Sequence, residues 1–183
     1  MKTIRLVPIE KSPSIVLEFL KHELPKRIPG IAVEIEDYVV HLPRSTYNSI
    51  RRQYDSDAVL EFLKGIKILH RGFRILGLAD VDAYSDYLNF VFGQAELYGR
   101  YAVVYLVRLR PEFYGSKADE RLFLDRVLKE SLHELGHTFG LLHCTSTSCV
   151  MRFSNSIIDT DLKLPKFCTN CLQKIMKYLS SEI

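Results

Sequence analysis

Residues 133 to 143 read His133-Glu134-Leu135-Gly136-His137-Thr138-Phe139-Gly140-Leu141-Leu142-His143, the pattern H-E-x-x-H-x-x-G-x-x-H. No other stretch limits the fold so tightly. Residues four apart on a helix lie one above the other, so His133 and His137 can aim ring nitrogens at one ion. His143 cannot reach that ion if the helix runs straight on. Gly140 can take a positive φ and end the helix in a sharp turn, after which the chain swings back and offers His143 from below. Three protein ligands with a fourth position left to water is the arrangement of a catalytic zinc. Glu134, beside the first histidine and rotated toward the open position, is placed as a general base for that water. Chance produces a bare H-E-x-x-H in about half a percent of chains this long, and the added glycine and histidine lower that about a thousandfold. His22, His41 and His70 sit in no ligand-spaced group and read as ordinary histidines.

The motif needs a helix, and its surroundings supply one. Over Ala118 to Phe139, the side chains of Leu124, Leu128, Leu132, Leu135 and Phe139 fall within about 80° of one another at helical spacing. That stripe is expected to bury against a sheet, with the two imidazoles on the opposite face. Strands are expected at Thr3–Pro8, Ile31–Val40, Phe73–Val81, Leu88–Ala95 and Tyr101–Leu109, from β-branched alternation. Ser14–Leu24 predicts a helix that stops before Pro25. Tyr47–Ile66 reads as one or two helices, and Thr169–Ser180 as a last one. The fold class is α/β (α+β), with 183 residues, 47% of them hydrophobic, sufficient for one domain.

Charge and leader signals narrow the function. The formal charge is only +3. Lys21–Arg27 and the Arg51-Arg52 pair read as solvated helix faces rather than a nucleic-acid stripe. The opening residues lack an apolar signal core, and the apolar run near Ala102–Val107 is too short to span a bilayer. A soluble, cytoplasmic, monomeric protein with no nucleic-acid or membrane partner is the expectation. Cys144, Cys149, Cys168 and Cys171 are spaced C-x4-C-x18-C-x2-C near the C-terminal end. Two clustered pairs look like a closed four-thiolate metal site, the second pair at a helix start where the dipole favours thiolates. Two disulfides are the alternative, disfavoured without a secretion signal.

The extended motif resembles that of the metzincin metallopeptidases, which place a methionine in a tight turn beneath the metal; Met151 matches that position. Several metzincin groups carry a tyrosine two residues later, where this chain has Phe153, so a transition-state donor must come from elsewhere. Continued through the cysteines to Cys-Thr-Asn-Cys, residues 133 to 171 resemble the archaemetzincins. That resemblance implies two zinc ions, one catalytic and one structural on the four cysteines. It also implies an upper lobe (1–140) with a mixed twisted sheet and the active-site helix, above a small zinc-stapled lower lobe (141–183). The activity implied is a zinc-dependent peptidase acting on peptides or proteins. A zinc hydrolase of a non-peptide amide or ester, and a peptide-binding module without turnover, stay open. Asn89–Ala95 is expected either as a cleft-edge strand that pairs with a peptide or as an interior strand.

Overall fold

A computed structural model describes residues 2–66 and 73–181; His70 lies outside them. The elements are β1 (Lys2–Ile9), α1 (Ser14–Arg27), β2 (Ile31–Ile35), β3 (Tyr47–Asn48), β4 (Gln53–Asp55), α2 (Ser56–Gly65), β5 (Arg74–Ala79), β6 (Ala83–Tyr84), β7 (Gly93–Ala95), β8 (Tyr101–Tyr105), α3 (Glu120–Thr138), α4 (Ile157–Leu162) and α5 (Thr169–Ser181). The main sheet has the order β2-β1-β5-β8-β7. Its first four strands are parallel, and β7 pairs antiparallel with β8 at the edge, with Gly93 opposite Val104 and Ala95 opposite Ala102.

Parallel strands carrying helices on both faces must bury both sets of side chains. Ile4, Leu6, Leu76, Leu78, Ala102 and Val104 face α1 and α3, while Val7, Ile9, Ile75, Val103 and Tyr105 face α2. This is the period of two expected of a strand. A small second sheet, β3-β4-β6, lies beside it. Cys149, Val150, Met151, Phe167 and Ile175 from the C-terminal segment join the same core as α1 and α3. No helix among the described residues is long and apolar enough to cross a membrane.

Several sequence expectations shift. α1 runs through Pro25 to Arg27 because Leu24 and Ile28 are both fully buried and the Ile28 N–H still donates to Leu24 O. Proline in the last turn forfeits only one helical hydrogen bond. Residues 47–55 form the β3–β4 hairpin instead of a helix; α2 begins at Ser56, where the Asp55 carboxylate caps the N–H groups of Asp57 and Ala58. The strand expected over Leu88–Ala95 shortens to Gly93–Ala95, and it is an edge strand. α3 is buried on nearly every side from Arg126 to Gly136, not only along its leucine stripe.

Candidate metal centre and catalytic cleft

The end of α3 is built by the residues the motif singled out. The Leu141 N–H donates to Gly136 O at 3.0 Å and the Gly140 N–H to His137 O at 2.8 Å, with Gly140 at φ 84°. These are the two bonds of a left-handed helix stop. A side chain at Gly140 would also strike the ring of Tyr98, whose own N–H donates to His137 O. The turn between β7 and β8 therefore clamps the helix end.

Beyond the turn, His143 comes back beside the other two histidines, and one nitrogen from each lies within 4.8 Å of the others. His133 Nδ1 lies 2.9 Å from Val150 O, and His137 Nδ1 lies 2.7 Å from Leu141 O. A carbonyl only accepts, so both Nδ1 atoms carry the proton and both Nε2 atoms are bare. Those two bare nitrogens face each other at 3.1 Å. Two lone pairs so placed repel unless a cation lies between their directions. About 3.3 Å separates two nitrogens on one tetrahedral zinc, so the donors fit that ion. Burial holds the His133 imidazole well below the ordinary histidine range, and lowers His137 and His143 as well. All three are thus neutral and ready to donate.

Glu134 is 5% exposed and lines the cleft with the histidines. Burial, then the Glu130 carboxylate, push its carboxyl well above the usual range, against the pull of Lys163. Gly93 on the edge strand leaves it room: a Cβ there would lie 2.6 Å from Glu134 Cγ and 2.8 Å from Val103 O. Gly136 does the same below the helix, where a Cβ would run into Met151 Sδ. Met151 is fully buried against Gly136 of α3, and Phe153 packs against the His143 ring at 4.9 Å. The cleft, about 640 Å³, runs from Tyr87 and Leu88 past the edge strand to the histidines.

The four cysteines also converge, as free thiols, with their sulfurs within 4.8 Å of one another. Cys144 Sγ and Cys168 Sγ are 3.9 Å apart, close to the sulfur spacing on one tetrahedral ion, about 3.8 Å. The Cys171 backbone N–H leads in holding the Cys168 thiol down to about 7, while burial pushes Cys149 and Cys171 up. Four unpaired sulfurs gathered this closely form a cluster that a cation would complete. The cysteine loop also braces the histidine loop, through the Cys144 N–H donating to Met151 O at 2.9 Å.

A polar clamp that the sequence did not reveal lies beside the histidines, on the α3 face that Glu130 shares with His133 and Glu134. Lys163 is fully buried with Nζ 3.1 Å from Glu130 Oε1, and it also donates to Arg152 O. Thr160 Oγ1 donates to the same Glu130 oxygen, and Arg126 makes a two-pronged pair with Asp161. The sequence signal for it is the spacing of Glu130 three and four residues before His133 and Glu134, which puts all three on one face of α3.

The sequence model of Peptidase family M54 matches residues 15–177. An archaemetzincin of Saccharolobus solfataricus is 48% identical over 157 residues, 84% of each chain. The crystal structure of the archaemetzincin of Methanopyrus kandleri superposes with a TM-score of 0.87 at 37% identity, covering 98% of this chain and 96% of that one. A zinc-dependent peptidase from Methanocorpusculum labreanum gives a TM-score of 0.84 at 29% identity, covering 94% and 99%.

Proposed function

Since the chain belongs to peptidase family M54, the archaemetzincin zinc metallopeptidases, we propose that it hydrolyses peptide bonds with Glu134 as general base beside a zinc ion held by His133, His137 and His143. The observation that carries this is the pair of bare Nε2 atoms facing each other at 3.1 Å, each fixed by a carbonyl behind it. A zinc ion there would supply Lewis acidity to the peptide carbonyl and to water. Glu134 takes the proton of the attacking water and returns it to the leaving amine. Val150 O and Leu141 O keep the imidazoles in one tautomer and one orientation through the cycle.

Substrate is held by the edge strand. β7 has β8 on one side only, and Gly93 brings its backbone against the Glu134 carboxylate. A peptide pairing antiparallel to β7 by main-chain hydrogen bonds passes the catalytic group with its scissile bond in reach. Cys144, Cys149, Cys168 and Cys171 hold a second, structural zinc that stiffens residues 141–183 as a lower lobe around Met151. One chain provides every group, so a monomer suffices.

The test is Glu134→Gln, assayed for metal content and for cleavage of a mixed peptide library. Full metal with cleavage lost by at least about a hundredfold is expected, within the range a general base contributes. Cleavage at the parental rate would overturn the assignment, and loss of the metal would make Glu134 a ligand.

A further inference from the structure

A second groove, about 770 Å³, opens on the far side of His143 and shares Leu97, Leu142 and His143 with the catalytic cleft. The two spaces therefore adjoin at those three residues. Their charges differ. Asp57, Glu130 and Glu134 line the cleft, whereas no carboxylate among the described residues lines the groove. Lys174 and Lys177 of α5 do, and neither has an acidic partner among the described residues. Cys171 and Ile175 of α5 are buried in the core and fix the helix, while Lys174 and Lys177 are exposed beside Cys171, which lines the groove with them.

On the reading of the chain as a peptidase, we propose that this groove is a substrate subsite for acidic side chains on the amino-terminal side of the scissile bond. The direction follows from the edge strand. β7 runs from Gly93, against Glu134, toward Leu97 and Tyr98, which line the groove. A peptide antiparallel to it sends its amino-terminal part the same way. Four strand residues span about 13 Å, which puts the favoured acidic positions about three to five residues before the cut bond. Leu97 and Tyr98, both exposed, give the peptide's aliphatic stems a surface, and the two ammonium groups select its charge.

The experiment uses the full chain carrying Glu134→Gln, so that binding is read without turnover. Two fluorescein-labelled decapeptides serve as probes, identical except for two Glu or two Gln at those positions, and are titrated by fluorescence anisotropy. The Glu peptide is expected to bind about five- to tenfold tighter, from two partly exposed ion pairs, with a preference that shrinks as salt rises. In Lys174→Gln/Lys177→Gln the ratio falls to one, and Lys174→Glu/Lys177→Glu prefers a Lys twin. A ratio of one in the parent, or a preference that survives the double Gln change, overturns the proposal. So does a double Gln variant that only loses metal from the neighbouring cysteines, which would make the lysines counter-charges for the thiolates. A labelled single-stranded oligonucleotide that outcompetes the Glu peptide through the same lysines overturns it too. Cleavage of both peptides by the parent enzyme with equal efficiency refutes the subsite and leaves the peptidase standing; preferential binding with neither peptide cleaved does the reverse.

Discussion

The position of the Glu134 carboxylate depends on an atom that is missing opposite it. Gly93 is the only residue type that lets the edge strand pass the carboxylate, because a Cβ would lie 2.6 to 2.8 Å from Glu134 Cγ, Glu134 Oε1 and Val103 O. The side chain can yield; the Val103 carbonyl, held in the β7–β8 ladder, cannot easily do so. Gly93→Ala is therefore expected to displace Glu134, lowering kcat at least about tenfold while metal content stays full, at a stability cost of about 1–3 kcal/mol from overpacking. Unchanged kcat in a stably folded variant would show that the close approach has no catalytic weight. The histidines, Glu134 and Gly140 were legible in the sequence because their chemistry depends on spacing along one helix. Gly93 and Gly136 were not, since each is required by a neighbour remote in sequence or on another segment, Glu134 in one case and Met151 in the other.

At the scale of elements, α3 is held by α4 and the residue that follows it. The Glu130–Lys163 pair is 4% and 0% exposed, so removing one partner strands a charge in the interior. Lys163→Met is expected to cost about 3–5 kcal/mol, and the Glu130→Gln/Lys163→Met double variant to recover most of it. Urea melts of the four proteins measure this; additive losses would mean that the pair is not coupled. The β7–β8 turn has its own electrostatic lock. Burial raises the Glu96 carboxyl, but N–H donors of Arg100 and Tyr101 together with Lys64 lower it further, so the balance lies below the ordinary value. A carboxylate depressed on folding contributes stability above its unfolded pKa, about 4.3, and loses it as pH falls through the lower folded value. Glu96→Gln should accordingly melt earlier than the parent at pH 6, with the gap closing below pH 4; a gap independent of pH would contradict this role. Strand and helix order was largely readable because buried parallel strands and amphipathic helices leave strong periodic signals. The β3–β4 hairpin was not, because nine residues with Tyr47, Ile50 and Tyr54 mimic a helical stripe; the Asp55 cap marks the true start of α2. The Glu130–Lys163 pair was not legible either, because its partners lie 33 residues apart in sequence.

For the whole molecule, one core joins the sheet, α3 and the C-terminal segment, and two candidate metal sites sit at different depths in it. The cysteine cluster ties residues 144–149 to the start of α5, whose far end is pinned to the sheet by Lys2 on Leu179 O and Arg74 on Tyr178 Oη. Cys168→Ser is expected to lower the melting temperature well before it alters chemistry, because a structural zinc contributes folding free energy. The histidine site, open to the cleft, should bear on catalysis instead. The most direct measurement is a stepwise zinc titration of the metal-free chain, following melting temperature and cleavage of a mixed peptide library together. Two equivalents should bind, one restoring thermal stability and the other restoring cleavage. His143→Ala should take up only the first, and Glu134→Gln should take up both yet cleave nothing. Saturation at one equivalent, or cleavage by either variant at the parental rate, would contradict the account.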